Sequence, residues 1–282
     1  MRSRLALLGL LLATASHAAD TSLATSPASD DAGPRLPLWE AGFFGVAGAQ
    51  QAYPGSKQRV RSGIVLPFLV WRGEVLRAEQ GGVGLRAART ATWEIDVGVA
   101  GSFGSAPADN SARRGMPSIG TLAEAGPRVK WDLGPAPGHG RWRATLPLRA
   151  VIDVSHGLAD RGWALEPEIG WGARAGGWGY GVNLSLLLGD RRLADTFYGV
   201  APVYATATRP AYEARAGLIA TRLGLSLGRR VAENWRVFGF ARLDTVKGAA
   251  NRSSPLVERT NGLSLGVGLA WTGWRSETAG TP

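Results

Sequence analysis

The sequence predicts an all-β chain, an antiparallel transmembrane β-barrel of about twelve strands, and three observations carry that expectation. The first is the segment 141–154, in which Trp142, Ala144, Leu146, Leu148, Ala150, Ile152 and Val154 alternate with Arg141, Arg143, Thr145, Pro147, Arg149, Val151 and Asp153. Successive side chains of a strand point to opposite faces, so this segment has one apolar and one wet side. It is longer than most soluble strands and long enough to cross a membrane at a tilt. The second is recurrence: the same alternation runs along most of the chain, and no later stretch approaches the roughly twenty apolar residues of a spanning helix. The third is the aromatic usage. The 11 Trp outnumber the 7 Phe and the 5 Tyr. Many sit at strand ends (Trp39, Trp71, Trp93, Trp131, Trp142, Trp163, Trp178, Trp235, Trp271), where an interfacial girdle belongs.

Taken from the N-terminus, residues 1–18 read as a secretory signal peptide. Arg2 and Arg4 form a basic start, Leu5 to Leu12 an apolar core, and Ser16-His17-Ala18 a small-x-small cleavage site. Cleavage is expected after Ala18 or Ala19. Residues 19–37, rich in Ala, Ser, Asp and Pro, read as a disordered periplasmic lead-in. The barrel is expected over 38–274, with a C-terminal tail over 275–282. Cys is absent, which excludes lipoprotein anchoring, disulfides and thiolate metal sites. The formal charge of +10 falls to +8 when Arg2 and Arg4 leave with the signal peptide. An exported barrel does not meet nucleic acid, so outer-membrane lipid, lipopolysaccharide, murein or an acidic protein are the expected counter-charges.

The alternating segments fall near 38–49, 58–71, 74–80, 83–88, 92–103, 118–133, 140–155, 161–175, 177–189, 211–229, 234–246 and 260–272. Connections at 72–73, 89–91, 134–138, 176 and 231–233 are short, whereas 104–117, 190–210 and 247–259 are long. Bacterial barrels pair short periplasmic turns with longer outside loops and usually hold an even strand number. If Gly81-Gly82 is a turn, twelve strands result and all long loops share the outer side. If it is a bulge, the count is eleven and the loops land inside; ten is the remaining alternative.

Parity then sorts the side chains. Trp93, Ile95, Val97, Val99 and Phe103 are expected to face lipid, with Trp163, Leu165, Ile169 and Trp171. Trp178 to Leu188 and Leu263 to Trp271 supply further uncharged stripes on alternate residues. The inward set carries the charges: Glu94, Asp96, Arg128, Lys130, Arg141, Arg143, Arg149, Glu166, Glu168, Arg236 and Arg242. Acid-rich and base-rich strands are neighbours, so cross-strand ion pairs are expected. Such a ladder either fills and rigidifies a narrow barrel or lines a small-solute channel with an anion preference.

Catalytic residues are not expected. After signal cleavage only His139 and His156 remain, and His139 lies in the turn Pro135-Ala-Pro-Gly-His-Gly140 with no carboxylate beside it. His156 has Asp153 and Asp160 near in sequence, but the adjacent Ser155 cannot by itself give hydrolase geometry. Two scattered histidines make no metal-ligand spacing, so neither metal nor cofactor is expected. Gly81-Gly82-Val83-Gly84 precedes no helix and is not a phosphate loop.

The loops carry more individual character. Gly189-Asp-Arg-Arg192 precedes Phe197-Tyr-Gly-Val200, followed by Pro202-Val-Tyr-Ala-Thr-Ala-Thr-Arg-Pro-Ala-Tyr212. Gly115-Met-Pro117 leads to Glu124-Ala-Gly-Pro-Arg128, and Gly248-Ala-Ala250 with Ser254-Pro-Leu-Val257 completes the set. Together, from about Pro37 to Trp271, these segments resemble the MipA/OmpV family of outer-membrane proteins. The resemblance implies an outer-membrane location and a non-enzymatic role. For the family's founding member it implies a scaffold joining a lytic transglycosylase to a penicillin-binding synthase. It implies no catalytic residue. Arg191, Arg192, Tyr198, Tyr204 and Arg209 in the long loop offer cationic and aromatic groups, expected either to touch a partner or to plug the lumen.

Overall fold

The computed structural model describes residues 37–72, 76–79, 82–90, 92–102 and 111–278. The signal peptide and nearly all of the lead-in fall outside these residues, as do the last four positions of the tail. Thirteen strand segments form one antiparallel sheet: β1 (Trp39–Gln51), β2 (Arg59–Arg72), β3 (Leu76–Glu79), β4 (Gly82–Arg89), β5 (Trp93–Ser102), β6 (Leu122–Ala136), β7 (Gly140–Asp153), β8 (Ala159–Leu165), β9 (Glu168–Ala175), β10 (Trp178–Gly189), β11 (Gly217–Ala232), β12 (Trp235–Thr245) and β13 (Asn261–Arg275). Sequence neighbours pair throughout except β8 with β9, and β1 pairs with β13 from Glu40↔Arg275 to Ala49↔Leu265. The β1–β13 seam therefore joins the ends of the sheet into a ring, while on the far side β2 meets the β3–β4 hairpin only at Trp71 and Arg72 and the hairpin meets β5 only through Arg86 to Arg89.

β8 and β9 share one lane, since both pair with β7 and with β10. The expected single strand 161–175 is broken at Glu166-Pro167 because Pro167 lacks the N–H that the ladder needs. The thirteen segments thus make twelve lanes. Gly82 begins β4 and pairs with Glu79, so β3 and β4 are two antiparallel strands rather than one bulged strand, while Gly81 lies outside the described residues. The β3–β4 hairpin is short and pairs with its neighbours at Trp71, Arg72 and Glu94 to Asp96, at the turn end of the barrel. Two expected strands start late: β6 opens at Leu122 rather than 118 and β11 at Gly217 rather than 211. In both cases the residues before the strand fold over the mouth instead.

The side-chain alternation is clear in the exposures. Val65, Leu69, Leu133, Trp163, Leu184, Leu225, Leu243 and Val267 are exposed on the outer face. At the turn end Trp271 stacks against Phe43 with centroids 6.3 Å apart and meets Trp274 edge-on at 5.5 Å. Aromatic rings of this kind belong at the membrane–water boundary. The hydrophobic core lies elsewhere, inside the loop end, where Tyr53, Met116, Ile119, Leu122, Val151, Leu193, Tyr198, Ile219, Val246 and Leu256 are buried together.

Candidate functional site

The inward charges form two tiers of cross-strand ion pairs. Near the turn end, β5 and β6 register Glu94 against Lys130 and Asp96 against Arg128. Arg128 donates through Nε to Asp96 Oδ1 at 2.9 Å and through Nη2 to Oδ2 at 2.8 Å, a fork-to-fork pair. Lys130 Nζ lies 2.7 Å from Asp96 and 3.4 Å from Glu94. One lane further, Arg141 pairs with Asp132 at 2.8 Å, and Arg143 stands opposite Asp132 in the register. Glu168 accepts from Asn183 Nδ2 at 2.6 Å.

The second tier, nearer the mouth, is more deeply buried and spans half the wall. Glu124 on β6 lies 3.1 Å from Arg149 Nε on β7, close enough for Coulomb attraction though not aligned as a hydrogen bond. Arg149 also pairs with Glu166, whose backbone break pushes its carboxylate to the centre of the chain. Glu166 accepts further from Ser185 at 3.0 Å and from Arg222 at 2.7 Å. Arg222 and Arg242 then flank Asp244 at 3.4 and 3.1 Å. Three carboxylates thus face three guanidiniums. Buried charges persist only when paired in this way, and a balanced chain leaves no net field to select an anion.

Above this tier the loops interlock into a cap. Helix α1 (Arg191–Tyr198) starts at Asp190, whose side chain accepts from Leu193 N at 2.8 Å. Gly162 passes so close to that carboxylate, at φ +96°, that any side chain there would collide with it. The helix delivers Tyr198, 1% exposed, into the core, where its hydroxyl donates to Pro54 O at 2.9 Å. Ser254 donates to Tyr198 O, and Tyr53 donates to Leu256 O. Burial pushes the Tyr198 phenol far above its ordinary range, so it stays a neutral donor. Arg113 reaches the carbonyls of Thr196, Phe197 and Pro117, and Arg209 those of Ala112, Arg114 and Tyr204. Burial pulls the Arg113 guanidinium below its usual range, with the nearby Arg209 acting in the same direction.

The structure therefore divides the loop residues that sequence pattern singles out. Tyr198 is core, and Arg209 ties the 190–216 loop to the 111–121 loop through Ala112 O and Arg114 O. Arg191 and Arg192 point outward instead, 72% and 62% exposed at the side chain, and pair with Glu213 and Asp160 on the rim. Arg236 sits on the inner face of β12 near the turn end. Sequence pattern alone overlooks Arg222, because it stands among Ala220, Gly224 and Ser226 without a neighbouring charge. It also overlooks Arg113, which reaches the carbonyls of Thr196 and Phe197 more than eighty residues away.

His156 acquires partners that the sequence does not suggest. Its Nδ1 lies 2.9 Å from Asp153 Oδ2, and its Nε2 lies 3.3 Å from the hydroxyl of Ser118 rather than of Ser155. The connectivity is that of a serine–histidine–aspartate relay. The surroundings are those of a loop anchor. Asp153 is fully buried and spends the same oxygen on Arg161 Nη2 at 2.7 Å and the other on Ser155 N and Oγ, while His156 is nearly half exposed. Asp153 thus pins four groups of the rim, with Gly120 pressed against its carboxylate.

Comparison with known proteins gives the chain its relatives. Solved structures similar in fold include the outer membrane phospholipase A of Escherichia coli, 11% identical, covering 91% of this chain and 97% of that one at a TM-score of 0.37. The COG4313 outer membrane channel of Pseudomonas putida F1 is 11% identical, covering 88% and 100% at 0.37. The translocator domain of the autotransporter NalP of Neisseria meningitidis is 11% identical, covering 84% and 88% at 0.35. No curated protein matches the sequence. Residues 44–273 match the profile of the family described as MltA-interacting protein MipA. The chain, an outer-membrane β-barrel, belongs to that family.

Proposed function

We propose that this protein is a closed, non-catalytic barrel that anchors murein-synthesising and murein-hydrolysing enzymes at the outer membrane. The observation that carries the reading is the filled lumen: a buried, hydrogen-bonded cap over a charge-balanced tier of ion pairs. A wall so occupied gives a rigid platform rather than a path for solute. The family description, which names an interaction with MltA, supports an enzyme of murein turnover as partner. A lytic transglycosylase and a penicillin-binding synthase are the two components of such an assembly.

A murein enzyme meets the turn end, which faces the periplasm when the long loops face outward. Arg141, Arg143, Arg174 and Arg236 bring positive charge to that end of the lumen, and Arg230 lies exposed beside it. An acidic surface on the partner is the complement. The test is a binding titration of the folded, detergent-solubilised protein against a purified lytic transglycosylase, repeated in rising salt and with Arg141→Glu/Arg174→Glu. The reading expects saturable binding that weakens with salt and by about tenfold in the variant. Absence of binding by the folded wild-type barrel would refute it.

A further inference from the structure

On the lipid-facing surface, one sector departs from the large apolar residues that cover the rest. Its register row runs Gly63↔Ala47, Ala47↔Val267, Val267↔Gly239 and Gly239↔Leu227 across five lanes. With Gly45, Ala47, Gly63 and Gly239 on the outer side, the wall is dished into a groove of about 700 Å³ that extends to Trp178. Gly63 lies four residues from the loop end of β2, whereas Trp178 is the first residue of β10 at the turn end. The groove therefore slants from the outer rim toward the opposite membrane boundary. It lies at hydrocarbon depth, and its floor is too shallow in side chains to be filled by the protein itself.

Directly above it, on the same outward face of β2, stand Arg61 and Arg59. They are two and four residues from Gly63, or about 7 and 13 Å along the strand. Both are exposed, and among the described residues neither has an ion-pair partner. Lys57 and Arg259 add exposed positive charge at this rim. The neighbouring acid, Glu258, accepts from the Lys57 backbone N–H at 3.1 Å. Cations held at the outer headgroup level over an apolar trough are complementary to an amphiphile with an anionic head and several chains.

We propose that this groove and the Arg59–Arg61 pair form a specific seat for a phosphorylated, multiply acylated glycolipid of the outer leaflet, of the lipid A class. A phosphate is held in the forks of the two arginines, and one acyl chain lies along Gly63, Ala47 and Gly239. Such a lipid fits better than a second copy of the chain, because every copy carries the same unpaired arginines at this rim and two would repel.

The test counts lipid A bound to the full, folded chain by native mass spectrometry in detergent, with heat-modifiable gel mobility confirming the fold of each variant. Wild type is expected to bind one lipid A about tenfold more tightly than Arg59→Ala/Arg61→Ala, while Arg59→Lys/Arg61→Lys keeps most of the affinity. Gly63→Leu/Gly239→Leu fills the trough. A Cβ at either position meets only ordinary contacts, at 3.6 and 3.5 Å or beyond, so the variant is expected to fold and to bind about tenfold less. Dephosphorylated lipid A, phosphatidylglycerol and inorganic phosphate are each expected to bind wild type at least about tenfold more weakly. Equal affinity of wild type and the alanine pair would overturn the proposal, as would full affinity in the filled-groove variant or parity with phosphatidylglycerol. A wild-type dimer that the filled-groove variant abolishes would overturn it in favour of self-association.

Discussion

From β6 round to β12 the inner wall near the mouth is built from ion pairs, whereas from β12 round to β2 the inner wall, from mid-strand to the turn end, carries aromatic rings seated on or beside glycines. In the first sector Glu124, Arg149, Glu166, Arg222, Asp244 and Arg242 form one chain, and most of their side chains are about one-tenth exposed or less. In the second, Phe240 lies over Gly266 and Phe238 over Gly268, so closely that a side chain at either glycine would collide with the ring, and Gly42, with Phe68 beside it, is pressed against the Trp271 carbonyl. Both sectors fill the same lumen. The difference is in what each tolerates: a charged wall fails when one partner is removed, and a close-packed wall fails when an atom is added. It also shows on the outside, because rings turned inward leave small residues outward, and the groove below Arg61 lies on the aromatic sector.

The largest effect is expected where the charged sector has its most-shared cation. Arg222→Met leaves Glu166 to Arg149 and Asp244 to Arg242, so that three buried carboxylates face two guanidiniums, and should cost about 3–5 kcal/mol, read as the shift in urea midpoint of the barrel refolded in lipid. A smaller loss would mean that water reaches this tier. In the aromatic sector, Gly268→Val drives a side chain into Phe238 and should cost about 1–3 kcal/mol by the same measurement. Tyr198→Phe, which removes one buried hydrogen bond of the cap, should cost about 1 kcal/mol and speed proteolysis within 190–216. The smallest effect is expected at Gly239→Leu, on the outer side of the aromatic sector, where stability should stay within about 0.5 kcal/mol. If Gly239→Leu proved as damaging as Gly268→Val, the inside–outside asymmetry of that sector would be wrong.

Strand parity made the two faces readable from the residues alone, because a period of two admits no compromise where one side meets lipid. Glu94, Asp96, Arg128 and Lys130 could be placed together, since both strands are long and their charges alternate with Ile95, Val129 and Trp131. The upper tier was only half readable. Arg149 and Glu166 follow the parity, but Glu166 gains its central position from a break that Pro167 imposes, and Arg222 reaches Glu166 across β10 as well as Asp244 on the adjacent β12. The cap was readable as a long loop and no further. Tyr198 to Pro54, Arg113 to Phe197 and His156 to Ser118 join residues distant in sequence, through carbonyls and hydroxyls that carry no pattern. Parity puts Phe238 and Phe240 on the inner face with Arg236 and Arg242, but nothing in the sequence shows that Gly266 and Gly268 lie under their rings.

The central claim is a lumen closed by its cap and by the ion-paired tier beneath it. Single-channel recording of the folded chain in planar lipid bilayers tests it most directly, with heat-modifiable mobility establishing that folded barrels have been inserted. No stable conductance is expected from wild type, and discrete openings are expected once residues 191–214 are replaced by a short Gly/Ser linker. Stable conductance from the wild-type barrel, shifted by neutralising Arg149, would contradict it.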